Sequence, residues 1–141
     1  ITIRQTESDS LGKYDILEVG AGRSGFGSFL ERNNCRNYIN WVTQDITSSN
    51  QEWLEAQSDE VLIGELDAVL LGRKFDCIFS TYVFEHITQP SKHLDQLWRA
   101  LVPGGKLFIF CPRYDIPGYF LPSARNFNFL EKIKMIYYIF N

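Results

Sequence analysis

Cysteine is scarce: Cys35, Cys77 and Cys111 are the three in 141 residues, with no C-x-x-C spacing among them. That pattern excludes a disulfide framework and gives no zinc site, so no metal is expected and reduced thiols in a cytoplasmic protein fit best. Cys77 and Cys111 sit in apolar runs and read as small core residues. Excess positive charge is missing too. Fourteen Lys and Arg against seventeen Asp and Glu leave a net charge of -3, which argues against a surface made for phosphate backbones, so nucleic acid is not an expected partner. No run approaches the ~18 apolar residues of a membrane span. The longest candidate, Met135 to Phe140, is far too short. The start, Ile1-Thr2-Ile3-Arg4-Gln5, has neither an initiator Met nor the basic-then-apolar profile of a signal peptide, and the chain reads as a trimmed piece.

What is abundant is aromatic. Phe, Tyr and Trp make up 15% of the chain and crowd its C-terminal third, while 45% hydrophobic against 22% charged residues is ordinary for a soluble globular protein. The length suits one domain with one sizeable core.

Apolar runs alternate with amphipathic stretches. Tyr14 to Val19 predicts a buried strand feeding a helix over about Ser24 to Arg32, with Phe26, Phe29 and Leu30 as its stripe. Tyr38 to Val42 predicts a second strand ending near Asp45. Ser49 with Glu52 has the spacing of a capping box opening a short helix through Trp53 and Leu54. Glu60 to Leu71 fits a helix or a strand with a loop, and Gly64 favours the latter. Phe75 to Ser80 predicts a strand. Pro90-Ser91 opens a helix with Leu94, Leu97, Trp98 and Leu101 on one face, ended by Gly104-Gly105, before a last strand over Lys106 to Cys111. This order predicts an α/β fold with a mainly parallel, doubly wound sheet and a ligand crevice beyond the C-terminal ends of its strands.

Chemistry concentrates at those ends. Gly20, Gly22 and Gly25 spell G-x-G-x-x-G, Glu18 stands two residues before the first glycine, and Asp45 follows Gly20 by about 25 residues. Further on come Phe75-Asp76-Cys77-Ile78, Glu85-His86-Ile87 and Leu101-Val102-Pro103-Gly104-Gly105. Read from the glycines alone, the turn is either a nucleotide-type cofactor site or a plain tight β-α turn.

In order and spacing these motifs resemble the class I S-adenosylmethionine-dependent methyltransferases, in particular the type 11/23-like methyltransferase domains, over about Tyr14 to Pro112. The resemblance implies a Rossmann-like sheet with helices on both faces and S-adenosyl-L-methionine as cofactor. It implies that backbone at Gly20, Ala21 and Gly22 approaches the methionine part of the cofactor, with Glu18 accepting hydrogen bonds from the turn or from the cofactor's ammonium group. Asp45, with Ile46 beside it, would take the ribose hydroxyls, although a solvated strand-end acid has the same sequence. Glu65 or Asp67 would meet the adenine amino group, with Leu66 or Ala68 against the ring. The backbone near Ser80, Thr81 and Tyr82 would floor the pocket beneath the reactive methyl. His86 is a candidate general base, set against an ordinary hydrogen-bonded histidine that helps shape the pocket, and no catalytic residue is otherwise assigned.

Two departures stand out. Ser24 occupies a position where the family usually has glycine, and the sheet is expected to lack the family's usual final β-hairpin after strand five. The whole chain, residues 1–141, is expected to be one methyltransferase-like domain with its core over about 14–112. Residues 113–141 would form an aromatic lid or cover, with Leu130, Ile133, Ile136 and Tyr137 inward, or a surface for a homodimer. The expected activity is methyl transfer by in-line displacement to a small-molecule, saccharide, lipid or protein acceptor. An NAD(P)-dependent oxidoreductase shares the glycine spelling, and a non-catalytic cofactor-binding scaffold is the third reading.

Overall fold

The computed structural model describes residues 12–112 together with 128, 130, 131 and 134. The chain divides into two compact units, Ile1–Phe110 and Cys111–Asn141.

In the first unit five strands and four helices alternate: β1 (Tyr14–Val19), α1 (Phe26–Arg32), β2 (Ile39–Asp45), α2 (Gln51–Glu55), β3 (Glu60–Ile63), α3 (Leu66–Val69), β4 (Phe75–Thr81), α4 (Pro90–Ala100) and β5 (Leu101–Phe110). All strand pairs are parallel, in the order β3-β2-β1-β4-β5. Chain direction across the sheet reverses between β1 and β4. Right-handed crossovers then put α1 and α2 on one face and α3 and α4 on the other, with a crevice at the carboxyl ends of β1 and β4.

Each face has its own core. Leu17, Val19, Val42 and Ile78 pack with Leu66, Leu70, Leu97 and Ala100 on the α3/α4 face. Trp41, Ile39 and Leu30 pack with Ile16 and Phe26 on the α1 face. The burial of Trp41, fully enclosed, contributes roughly 2–3 kcal/mol to that second core. Further along the α1 face lies an apolar hollow of about 370 Å³, lined by Phe26, Phe79, Phe108 and Phe110 among others.

The sequence expectations are corrected at the helix that follows β4, at the capping box and at two cysteines, while the strand that Gly64 favoured after Glu60 is present. The helix expected to run to Gly104-Gly105 ends at Ala100, and Leu101 is already extended and paired with Phe75. The stretch from Val102 to Gly105 is a bulge inside β5: partners step from Phe75 to Cys77 on one strand and from Leu101 to Lys106 on the other, with Gly104 at φ +82°. Pro103 has no N–H to give to a ladder, and the bulge accommodates it. Consequently Leu101 is a strand residue, Leu97 and Ala100 face inward, and Leu94 and Trp98 are exposed.

The capping box of Ser49 and Glu52 does not form. A 3₁₀ turn over Ser48–Asn50 precedes α2, whose first turn has no side-chain cap. The ambiguous segment is a short strand, β3, a glycine turn and the brief helix α3. Cys77 is half-buried and Cys111 is exposed rather than internal.

In the second unit Asn128 and Glu131 make a reciprocal capping box: the Asn128 N–H donates to Glu131 Oε2 at 2.8 Å and the Glu131 N–H to Asn128 Oδ1 at 2.9 Å. Leu130, expected inward, is exposed. The proposed lid or dimer surface over 113–127 lies outside the described residues, as do Ile133, Ile136 and Tyr137. Among the described residues no helix is long and apolar enough to cross a membrane.

Candidate cofactor site at the carboxyl ends of the strands

β1 ends in a turn that only glycine permits at its first position. Gly20 has φ +65°, and a Cβ there would run into Val83 Cγ2. Gly22, at φ +53°, has nothing within 4 Å of a Cβ, so its outer side is free for a ligand.

The turn is held from three sides. Gln44, 4% exposed, receives the Gly20 N–H on its Oε1 at 3.3 Å and donates from Nε2 to the Gly64 carbonyl at 2.7 Å. One buried amide thereby joins the turns that follow β1 and β3. Its neighbour Asp45 takes the Gly22 N–H on Oδ2 at 3.0 Å and the Thr47 N–H on Oδ1 at 3.1 Å. Each oxygen of that half-buried carboxylate keeps a further acceptor direction, two in all, which matches a vicinal diol.

From beneath, Glu18 Oε2 accepts from Ser24 Oγ at 2.8 Å and Trp41 Nε1 at 3.1 Å. Ser24 Oγ accepts in turn from the N–H of Phe26, the first residue of α1, at 3.0 Å. The serine that departs from the family's glycine therefore links the acid to the helix start. Burial pushes the Glu18 carboxyl up from 4.5 to about 7, against the two hydrogen bonds that favour its charged form.

Beside this turn lies a polar cavity of about 440 Å³, lined by Ile46, Glu65, Asp67, His86, Lys92 and His93 among others. Ile46 is exposed there. Glu65 immediately precedes α3, and Asp67 faces Lys92 Nζ at 3.4 Å with both side chains largely in solvent. Leu66 takes a different course. It is 4% exposed and packs in the core, so its side chain is not available to an adenine ring, and Ile46 and Ile87 are the apolar residues that line the cavity.

His86 ends a 3₁₀ turn over Phe84–His86, is exposed, and lines the cavity. His93 meets the Phe84 ring edge-on at 5.1 Å, and burial lowers its pKa while the Glu65 carboxylate acts in the opposite sense. Ser80 is 1% exposed and its Oγ has no protein partner. Thr81 lines the apolar hollow of the opposite face. Tyr82, next in the chain, has φ +59° with its ring exposed, and its N–H is held by the Phe110 carbonyl at 2.9 Å. A non-glycine residue in that region costs of order 1–3 kcal/mol and persists where surrounding structure fixes it, commonly at functional sites.

Of the expected residues, Glu18, Gly20, Ala21, Gly22, Asp45, Glu65 and Asp67 converge on the crevice, and Leu66 does not. Gln44 and Trp41 were not singled out from sequence, and Ser24 was noted there as a departure from the family's glycine without a structural role. The one available signal for Gln44 was a long polar side chain late in an otherwise apolar strand, directly before Asp45.

Residues 17–109 match the family model described as "Methyltransferase domain". The chain belongs to that family, and its parallel sheet, glycine turn and cofactor class are those of the S-adenosylmethionine-dependent methyltransferases. A tRNA U34 carboxymethyltransferase of Campylobacter curvus (strain 525.92) is 39% identical over 66 residues, covering 47% of this chain and 22% of that protein. Among solved structures, coclaurine N-methyltransferase bound to N-methylheliamine and S-adenosylhomocysteine superposes with a TM-score of 0.59 at 17% identity, over 70% of this chain and 31% of that one. A SAM-dependent methyltransferase from Archaeoglobus fulgidus gives 0.54 at 22% identity, over 91% and 61%. The chain thus spans about a fifth of the curated relative and less than two thirds of either solved structure.

Proposed function

We propose that the protein binds S-adenosylmethionine across the carboxyl ends of β1, β2 and β3 and transfers its methyl group to an acceptor by in-line displacement. The observation that carries this reading is the joining of three loops at one crevice. Gln44 ties the turn after β1 to the turn after β3, Asp45 ties Gly22 to the end of β2, and the polar cavity opens beside them.

The residues fit the cofactor. Gly22 leaves its outer side open to a backbone-hugging amino-acid moiety, and Asp45 retains two acceptor directions for the ribose hydroxyls. The cavity of about 440 Å³ has Glu65 and Asp67 as acceptors for an exocyclic amine and Ile46 as apolar wall. The bound cofactor supplies an already activated methyl on a positive sulfur, a good leaving group. The chain's own contribution is to hold donor and acceptor in line and to exclude water. Ser80 and the backbone at Thr81 and Tyr82 form the floor at the end of β4, and the exposed Tyr82 ring is the group best placed to meet an acceptor. His86, on the cavity that receives the adenine end in this assignment, belongs to the pocket wall rather than to proton removal from an acceptor.

For the acceptor, the net charge of -3 favours a partly apolar molecule or a saccharide over a nucleic acid. The oxidoreductase reading loses its ground, because the matched family accounts for the same glycines.

Isothermal titration of the intact protein with S-adenosylhomocysteine tests the proposal. Saturable binding is expected, and NADH is expected to show no enhanced nicotinamide fluorescence. Failure to bind S-adenosylhomocysteine would remove the reading. Binding without methyl transfer to any acceptor in a cell extract would replace the enzyme with a cofactor-binding scaffold.

A further inference from the structure

We propose that Glu18 is a proton-coupled positioning residue: a cationic cofactor seats on the glycine turn as the Glu18 carboxyl gives its proton to solvent, and Ser24 and Trp41 set how readily that proton leaves. The inference rests on the S-adenosylmethionine reading above.

Its ground is a buried acid that, among the described residues, has donors and no cation beside it. Glu18 is 6% exposed on the α1 face of β1, flanked in register by Thr43 of β2 and Phe79 of β4. Both of its hydrogen bonds, from Ser24 Oγ and Trp41 Nε1, come from neutral groups. Charged and titratable neighbours are few. From β4 only Cys77 faces the same side, its own thiol pushed up by burial and by the Asp76 carboxylate. Between Ser24 and Leu30, α1 and its entry offer no ionisable side chain to this face.

In the turn itself, the Arg23 guanidinium is engaged elsewhere, with Nε donating to Asn50 Oδ1 at 3.4 Å and the group lying 5.8 Å from the centre of the Trp53 ring. The Asp45 carboxylate is committed to the Gly22 and Thr47 N–H groups.

An acid in such a place ionises close to neutrality, at about 7. The cofactor carries a positive ammonium and a positive sulfonium against one carboxylate and is a net cation, and the turn that receives it starts two residues after Glu18. A nearby cation favours the carboxylate over the carboxyl, so seating the ligand breaks the O–H bond and sends the proton to buffer. The resulting anion is the better acceptor for Ser24 Oγ, whose own acceptance of the Phe26 N–H fixes the start of α1. Charge on the ligand and geometry of the turn are thereby coupled through one hydroxyl.

The test is isothermal titration of the full chain with S-adenosylmethionine and with S-adenosylhomocysteine, in two buffers of different ionisation enthalpy. From about pH 6 to about pH 8, affinity for S-adenosylmethionine is expected to rise about tenfold, with proton release largest at the acid end. S-adenosylhomocysteine, lacking the sulfonium charge, should show a smaller rise. Glu18→Gln should flatten the profile. Ser24→Ala, which removes a donor to the anion, should move the midpoint to higher pH, whereas a merely structural serine would weaken binding equally at every pH.

A flat profile with equal heats in both buffers would overturn the proposal, as would an unmoved midpoint in Ser24→Ala or a slope surviving in Glu18→Gln. Should Glu18→Gln not fold, Ser24→Ala decides alone. Wild-type protein that binds neither ligand at any pH defeats the cofactor reading itself, a distinguishable result.

Discussion

At the glycine turn the polar groups proposed to position a ligand are buried and hydrogen-bonded within the protein, with Glu18 at 6% and Gln44 at 4% exposure, whereas Glu65, Asp67 and Lys92 at the cavity end stand in solvent. The one ion pair there, Asp67 to Lys92, is long at 3.4 Å and exposed. Buried hydrogen bonds in a low-dielectric setting fix geometry, while exposed charges are screened and adjust at little cost. The difference teaches where tolerance lies: the turn is built to one shape, and the cavity is left to be completed by what enters it.

The sharpest way to break that comparison is Gly20→Ala. A methyl there meets Val83 in a backbone region that favours glycine, so S-adenosylhomocysteine binding should disappear from a titration and the melting temperature should fall by roughly 5 °C or more.

Next in size is the pH dependence of the ligand-free fold. Glu18 has its folded pKa raised from 4.5 to about 7, so the folded state holds a proton that the unfolded state has lost between those values. Its contribution to stability is therefore fully present below 4.5 and is lost as pH rises towards about 7, by no more than about 3 kcal/mol. Denaturant titrations across that window should show the decline in wild type and its absence in Glu18→Gln. An unchanged slope in the variant would assign the decline to other groups.

Asp45→Ala comes third. Losing a carboxylate that holds two backbone N–H groups and the site for a diol should weaken S-adenosylhomocysteine about a hundredfold by titration. Smallest is Lys92→Ala, for which less than about a threefold change in affinity is expected, because the pair it removes is exposed. A large loss at Lys92 with little at Asp45 would invert the comparison.

Much of the fold could be read from the sequence, because β1, β2 and β4 are apolar runs between turn residues whose periodicity leaves little choice. What could not be read had competing local signals. Leu101 continues the helical spacing of Leu94 and Leu97, and only the pairing of β5 with Phe75 decides that it is extended. Ser49 and Glu52 spell a capping box as well as Asn128 and Glu131 do, yet only the second pair makes the bonds, since a 3₁₀ turn through Asn50 displaces the start of α2. At the site, Glu18, Gly20, Gly22 and Asp45 were visible by type and spacing. Leu66 was not, because an apolar residue beside acids looks the same whether it faces a ligand or the core. Gln44 was missed because an amide has no motif of its own, and its two long-range bonds exist only after β1 and β3 have flanked β2.

That amide has a consequence for motion. Gln44 spans from the Gly20 N–H to the Gly64 carbonyl, and the Gly64 N–H is itself held by the Asp45 carbonyl at 2.9 Å. Loops that would ordinarily open independently share one fastener, so releasing either turn breaks bonds in both. In hydrogen exchange the amides of Gly20, Ala21 and Gly64 should therefore open in a single event, slower than that of the exposed Asp67 segment and felt at both ends of the crevice at once.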